Sequence, residues 1–210
     1  MNKVPEHLGG HMNKTHTDEG VLTFMRDTMK CNSMVDIGCG PGGQVELARS
    51  LGYETVIGID GDWSVLPKTA ENICLEWMGE STAEDEQKES PFWFVHDFSE
   101  KPASFLYQPY VPVFFDLAWS VEFLEHVEEQ YIPNYMPIFQ ACKYAIVTHA
   151  VPGQDGHHHV NCQEKDYWVD KFREYDMIYQ DELTVMARDS STMKKPFIKR
   201  TGLVFQNRGF

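Results

Sequence analysis

The chain has 210 residues, of which 42% are hydrophobic and 13% aromatic, enough for the core of one α/β domain and too apolar for a disordered chain. A net charge of −14 argues against a broad nucleic-acid-binding face, although the last twenty residues carry Lys194, Lys195, Lys199, Arg200 and Arg208 and no acid. No apolar run approaches the ~18 residues that span a bilayer, the N-terminus lacks a secretory apolar stretch, and the 5 scattered cysteines contain no C-x-x-C pair, so a reduced cytoplasmic setting is expected.

Residues 1–17 read as an irregular polar arm. Thr17 and Asp18 are helix-start residues, and Val21, Leu22, Met25 and Met29 recur at helical spacing, which predicts a lead helix over 18–30. The His-bearing segment 11–18 before it reads either as a lid over a ligand or as a solvated arm. Ser33–Gly43 then reads as a short buried strand running into a turn with Gly38, Gly40, Gly42 and Gly43, followed by a helix over 44–51. Amides at that helix start face the space the glycines leave open, as in a nucleotide-type cofactor loop.

A second strand over 54–60 ends in Asp60. Helix 62–77, an acidic loop over 79–90 and a third strand over 92–95 ending at His96 and Asp97 follow. A proline-bearing connection leads to a fourth strand over 113–119 and then to SVEFLEHVEEQ, a turn or helix start. The pattern predicts a helix to about residue 144, a fifth strand over 145–150, a helix over 163–175, a short strand, a helix from about 181 and a final strand over 197–207. Alternating strands and helices imply one mostly parallel sheet covered on both faces, in a single domain over 1–210 with 1–30 as arm and lead helix.

Gly38-x-Gly40-x-x-Gly43 also satisfies the dinucleotide fingerprint, with Asp60 near the position of a ribose-binding acid. Three acidic features point away from NAD. Asp36 precedes the first glycine by two positions, where a pyrophosphate gains nothing from negative charge but a free ammonium does. Asp97 can accept from an exocyclic adenine amine, and the acidic stretch after the fourth strand tolerates a cationic sulfonium.

The ordered set VDIGCGPGG, GID, HD and DLAWSVEFLEHV resembles the motifs of class I S-adenosylmethionine-dependent methyltransferases over residues 20–150. The resemblance implies a Rossmann-like three-layer α/β/α sandwich, with a seven-stranded, mostly parallel sheet and an antiparallel last strand. It also implies S-adenosyl-L-methionine as cofactor. Asp36, Gly38, Cys39, Gly40 and Pro41 would hold its methionine end and Asp60 both ribose hydroxyls, with Gly61 beside it. Trp63 would pack on the adenine or belong to a core helix face, Asp97 with His96 would meet the adenine, and Ser120 would begin the wall beside the sulfonium.

Methyl transfer is an in-line displacement, chiefly a positioning task, and an O or N acceptor also needs a base. His126, Glu122 and His16 are the catalytic candidates, with His126 open to a purely loop-supporting role. Glu122, Glu125 and His126 form E-x-x-E-H, which on a helix shares one face. With a downstream histidine, His158, they form a candidate divalent-metal set similar to that of small-RNA terminal 2′-O-methyltransferases. The His157–His159 run by itself reads as a solvated or substrate-facing loop. The expected function is methyl transfer to an O or N atom of a small molecule, with no membrane partner. The alternatives are a metal-dependent RNA-end 2′-O-methyltransferase, an NAD-dependent oxidoreductase and a non-catalytic cofactor-binding subunit.

Overall fold

The structure, a computed structural model, describes residues 4–12, 14–65, 93–103 and 114–210. Most of the predicted helix 62–77, the loop 79–90 and much of the connection before the fourth strand lie outside the described residues.

In chain order the elements are α1 (Glu19–Asp27), β1 (Ser33–Ile37), α2 (Gly43–Ser50), β2 (Thr55–Asp60), β3 (Trp93–Val95), β4 (Phe115–Ser120) and α3 (Ile132–Gln140). They continue with β5 (Cys142–Val147), α4 (Lys165–Arg173), β6 (Met177–Tyr179), α5 (Asp181–Ser190), α6 (Phe197–Thr201) and β7 (Leu203–Asn207). The seven strands form one sheet in the order β3-β2-β1-β4-β5-β7-β6. β7 runs antiparallel to both its neighbours, and the other pairings are parallel. This is the Rossmann-like sheet expected from the sequence.

Side chains alternate between two apolar layers, as the two-residue period of a strand requires. Val35, Ile37, Ile57, Ile59, Ala145 and Val147 join Tyr135 and Phe139 of α3 and Trp168 and Phe172 of α4 on one face. Met34, Val56, Leu117, Trp119 and Ile146 join Val21, Leu22 and Met25 of α1 and Val45 of α2 on the other.

Asp18 fixes how α1 meets this sheet. Its Oδ1 accepts from the Val21 amide at 3.2 Å, the helix cap the sequence predicts, and from the Thr192 amide at 2.9 Å. Its Oδ2 accepts from the Ser191 hydroxyl, and its own amide donates to Gln44 Oε1 at 2.9 Å. One buried residue thus ties the lead helix and the end of α5 together through its carboxylate, and the helix after the glycine loop through its amide.

Two expectations need correction. The helix predicted to reach 144 stops at Gln140, because Cys142–Val147 is already in register with β4, Cys142 opposite Phe115. The strand predicted over 197–207 begins as a helix. Pro196 starts that helix, the Gly202 amide closes on the Ile198 carbonyl at 2.9 Å, and only Leu203–Asn207 pairs in the sheet. Each segment is only a few residues long and carries charged residues (Lys143; Lys199 and Arg200), too little for its period to separate helix from strand.

Candidate cofactor cavity and acceptor wall

The strand order reverses between β1 and β4, and the carboxyl ends of β1 to β4 open there into a crevice, the usual ligand position in such sheets. A cavity of about 540 Å³ fills it. At its floor the Gly38 and Cys39 amides donate to the Ile59 carbonyl at 2.9 and 3.1 Å, which folds the glycine loop over the end of β2. Gly42 has φ 80°, and a Cβ there would lie 1.6 Å from the Trp93 ring, so only glycine lets the loop press against β3.

Asp60 is oriented by that loop. Its Oδ2 accepts from the Gly40 amide at 2.7 Å and its Oδ1 from the Asp62 amide at 2.8 Å. Each carboxylate oxygen has two lone pairs, so among the described residues each keeps one free acceptor site beside the cavity it lines. Asp36 is 3% exposed, and burial, followed by the nearby Asp60 charge, pushes its pKa well above the usual carboxylate range. A cationic ligand group beside Asp36 would reverse that tendency.

The cavity gathers Asp36, Gly38, Cys39, Gly40, Asp60 and Gly61 from the predicted cofactor set, and His96 and Asp97 at the end of β3. It does not gather Pro41, Trp63 or Ser120. Ser120 is fully buried and donates its hydroxyl to the Ile37 carbonyl at 3.0 Å, so it joins β4 to β1 beneath the floor. Trp63 sits in a short 3-10 turn, Trp63–Val65. The Cys39 thiol is pushed well up by burial and the neighbouring Asp60 and Asp36, which leaves it a packing residue of the loop.

The opposite wall comes from the turn after β4. Glu122 adopts φ 57°, a left-handed conformation costly for a side chain of its size. A two-way contact holds it: the Glu122 amide donates to Thr148 Oγ1 at 2.8 Å, and the Thr148 hydroxyl donates to Glu122 Oε1 at 3.0 Å. The E-x-x-E-H residues therefore do not share a helix face. Only Leu124–His126 forms a helical turn, a 3-10 one, and the left-handed Glu122 breaks the spacing rule.

Glu125 is fully buried, and among the described residues neither of its carboxylate oxygens has a hydrogen-bond partner. Burial, then the Glu122 charge, raises its pKa to about 8. His126 Nδ1 is likewise buried without a partner, and burial, then His159, lowers its pKa to about 4. The Val160 and Asn161 amides donate to the Glu125 carbonyl at 2.9 and 3.0 Å, which seats the histidine loop on this turn. That brings His159 to His126, ring centroids 5.0 Å apart, and ligand atoms of Glu125, His126 and His159 lie within 4.8 Å of one another. His158, the histidine chosen from the sequence, points elsewhere: its ring lies 6.0 Å from that of His7.

His16 lines the cavity edge-on to Phe197, rings 5.0 Å apart, and burial, then Lys195 and Lys14, lowers its pKa. The main element missed from the sequence is the arm before it, since His7, Leu8 and Gly10 also line the cavity. The signal available was His7 and His11 flanking Gly9-Gly10, two polar rings on a backbone able to lie close to another surface.

No protein-family model and no curated protein sequence matches the chain. Solved structures do. A TehB-like S-adenosylmethionine-dependent methyltransferase from Corynebacterium glutamicum is 16% identical, with 90% of this chain and 88% of that chain covered and a TM-score of 0.54. The methyltransferase domain of bacterial CtHen1-C is 16% identical over 90% of this chain and 96% of that chain, with the same TM-score of 0.54. Magnesium protoporphyrin IX methyltransferase from Synechocystis, with bound S-adenosylmethionine, is 11% identical over 89% of this chain and 75% of that chain, TM-score 0.52.

The chain has the fold of the S-adenosylmethionine-dependent methyltransferases. The antiparallel β7 between β5 and β6 belongs to that fold and departs from the dinucleotide-binding order 3-2-1-4-5-6. Among the described residues no helix is long and apolar enough to cross a membrane.

Proposed function

We propose that this protein is an S-adenosylmethionine-dependent methyltransferase acting on an oxygen or nitrogen of a small molecule. The observation that carries the reading is Asp60. Two backbone amides orient its carboxylate and leave one acceptor site on each oxygen, which matches the two neighbouring hydroxyls of a ribose. When bound, the cofactor supplies a methyl group on a positively charged sulfur.

The residues present fit that group. Asp36 would take its ammonium and would be ionised in doing so. The loop at Gly38 and Gly40 would leave room for the amino-acid end, and Asp97 would hold the adenine amine. Buried acids at the cavity floor favour a cation over the phosphates of NAD. On the opposite wall, His126 is neutral at pH 7 and able to take a proton from the acceptor. A small acceptor suits a cavity of about 540 Å³ in a chain of net charge −14, and the likeness in fold to a magnesium protoporphyrin IX methyltransferase supports this reading.

Calorimetry with S-adenosylmethionine, S-adenosylhomocysteine and NAD tests the cofactor. The two sulfur compounds should bind and NAD should not. Asp60→Ala should weaken S-adenosylhomocysteine at least tenfold, and an unchanged affinity would remove the ribose assignment.

A second reading has its own observation. Among the described residues, a buried carboxylate with two unpartnered oxygens beside an imidazole whose Nδ1 is unpartnered is costly unless a proton or a cation satisfies it. Glu125, His126 and His159 suit a divalent ion that accepts mixed nitrogen and oxygen ligands, and such an ion polarises an acceptor hydroxyl. Together with Lys14 and Lys195 acting on His16 and Arg200 acting on Glu122, this supports a metal-dependent methyltransferase acting on an RNA-end 2′-hydroxyl. Titration with Mn²⁺ followed by electron paramagnetic resonance should show one bound ion, lost in Glu125→Ala. Turnover indifferent to a chelator would end this reading.

A further inference from the structure

The arm residues Glu6–Met12 lie across both halves of the cavity. On the cofactor side, His7 Nε2 contacts Asp97 Oδ2 at 2.8 Å and His11 Nε2 contacts Asp62 Oδ2 at 2.9 Å. Leu8 covers Gly61 so closely that a Cβ at Gly61 would lie 2.4 Å from Leu8 Cδ2. On the acceptor side, a Cβ at Gly10 would lie 3.3 Å from the His126 ring, and His157 Nε2 donates to the Glu6 carbonyl at 2.5 Å. The segment is therefore fastened at both ends of the site. Met12, where it leaves the cavity, is 64% exposed and left-handed at φ 47°.

The carboxylate count at Asp97 shows the consequence. Its Oδ1 accepts from the Ser99 amide at 2.8 Å and the Ser99 hydroxyl at 2.7 Å, and its Oδ2 accepts from His7. Three of about four acceptor sites are taken, so an incoming adenine amine finds one site and meets the His7 ring beside it. Gly61 and Asp62, next to the ribose-binding Asp60, lie under Leu8 and His11. A ligand of nucleoside size thus has to pass where the arm lies.

We propose that Glu6–Met12 is a strap, latched by His7 and His11, that lifts to admit or release the cofactor and in its closed form builds part of the acceptor site. The proposal rests on the cofactor reading above. It implies an ordered reaction: cofactor enters first, the strap closes, and the acceptor binds against Gly10 and His126.

The test uses the full chain and surface-immobilised protein with S-adenosylhomocysteine as analyte. The double variant His7→Ala/His11→Ala should raise both the association and the dissociation rate at least tenfold. His7→Gln, which keeps an N–H donor, should restore part of the slow exchange. Amide hydrogen exchange over residues 6–12 in the ligand-free protein provides a readout independent of the cofactor: protection in the wild type, lost in the double variant. Rates within twofold of the wild type, or a faster dissociation with unchanged association, would overturn the strap. So would an unprotected arm in the wild type. No S-adenosylhomocysteine binding by the wild type would instead overturn the cofactor reading, and the strap as a cofactor gate falls with it.

Discussion

Single carboxylates carry opposite roles here because their surroundings differ. At Asp60 two amides partly offset the burial that raises its pKa, whereas Asp36 is buried near another acid and is pushed well above the usual carboxylate range. Its folded pKa lies above the unfolded value near 4, so the folded state holds a proton that the unfolded state releases. Stability therefore falls as pH rises through that interval and on to the folded pKa. Asp36→Asn should be more stable than the wild type at pH 7–8 in the absence of ligand, and the difference should disappear below about pH 4. The same variant should lose at least tenfold in S-adenosylhomocysteine affinity, because the ligand's ammonium then lacks its counter-charge. Thermal unfolding across pH with and without ligand checks both. A variant less stable than wild type at pH 8 would show that Asp36 is satisfied in some other way.

At the scale of elements, loops and turns do the positioning, and sequence spacing alone misjudges them. E-x-x-E-H suggested a helical face, but the left-handed Glu122 sends its side chain to Thr148 while Glu125 and His126 turn towards His159. Choosing among His157, His158 and His159 required knowing that the Val160 and Asn161 amides anchor the loop on the Glu125 carbonyl. The glycine loop has the reverse character, since its glycines were legible and their reasons were not. Gly42→Ala should cost more than about 3 kcal/mol, because its new Cβ lands on Trp93 and φ is left-handed. Asp18→Ala should cost about 2–4 kcal/mol, since a helix cap and buried contacts to Ser191 and Thr192 go together. Urea unfolding measures both, and a loss under 1 kcal/mol at Asp18 would mean that water replaces those contacts.

At the scale of the whole molecule, charge is unevenly spread. The chain carries 32 acids against 18 lysines and arginines. Yet Lys195 and Lys14 act on His16, and Arg200 acts on Glu122, at the cavity. Among the described residues, none of these three cations has a side-chain ion pair within 4 Å. An acceptor carrying phosphate or carboxylate would meet them on entry. Charge reversal at Lys195 and Arg200 should then raise KM for an anionic acceptor at least fivefold, more at low salt, while leaving a neutral acceptor unchanged. Equal effects on both kinds of acceptor would assign the two residues to packing.

The order of strands and helices, the glycine loop and the acids at the ends of β1, β2 and β3 were legible along the chain. Each depends on local chemistry: a two-residue or helical period, a backbone that only glycine allows, an acid at a strand end. The boundaries around Cys142 and Phe197, the approach of His159 and not His158 to His126, the place of Ser120 beneath the cavity floor and the contact of the arm with Asp97 were not. Each depends on a partner distant in sequence, β4 for Cys142, Glu125 for the histidine loop, Ile37 for Ser120 and Asp97 for His7. Side-chain period and turn chemistry specify what a segment can become, and pairing energy across the fold selects which of those forms it takes.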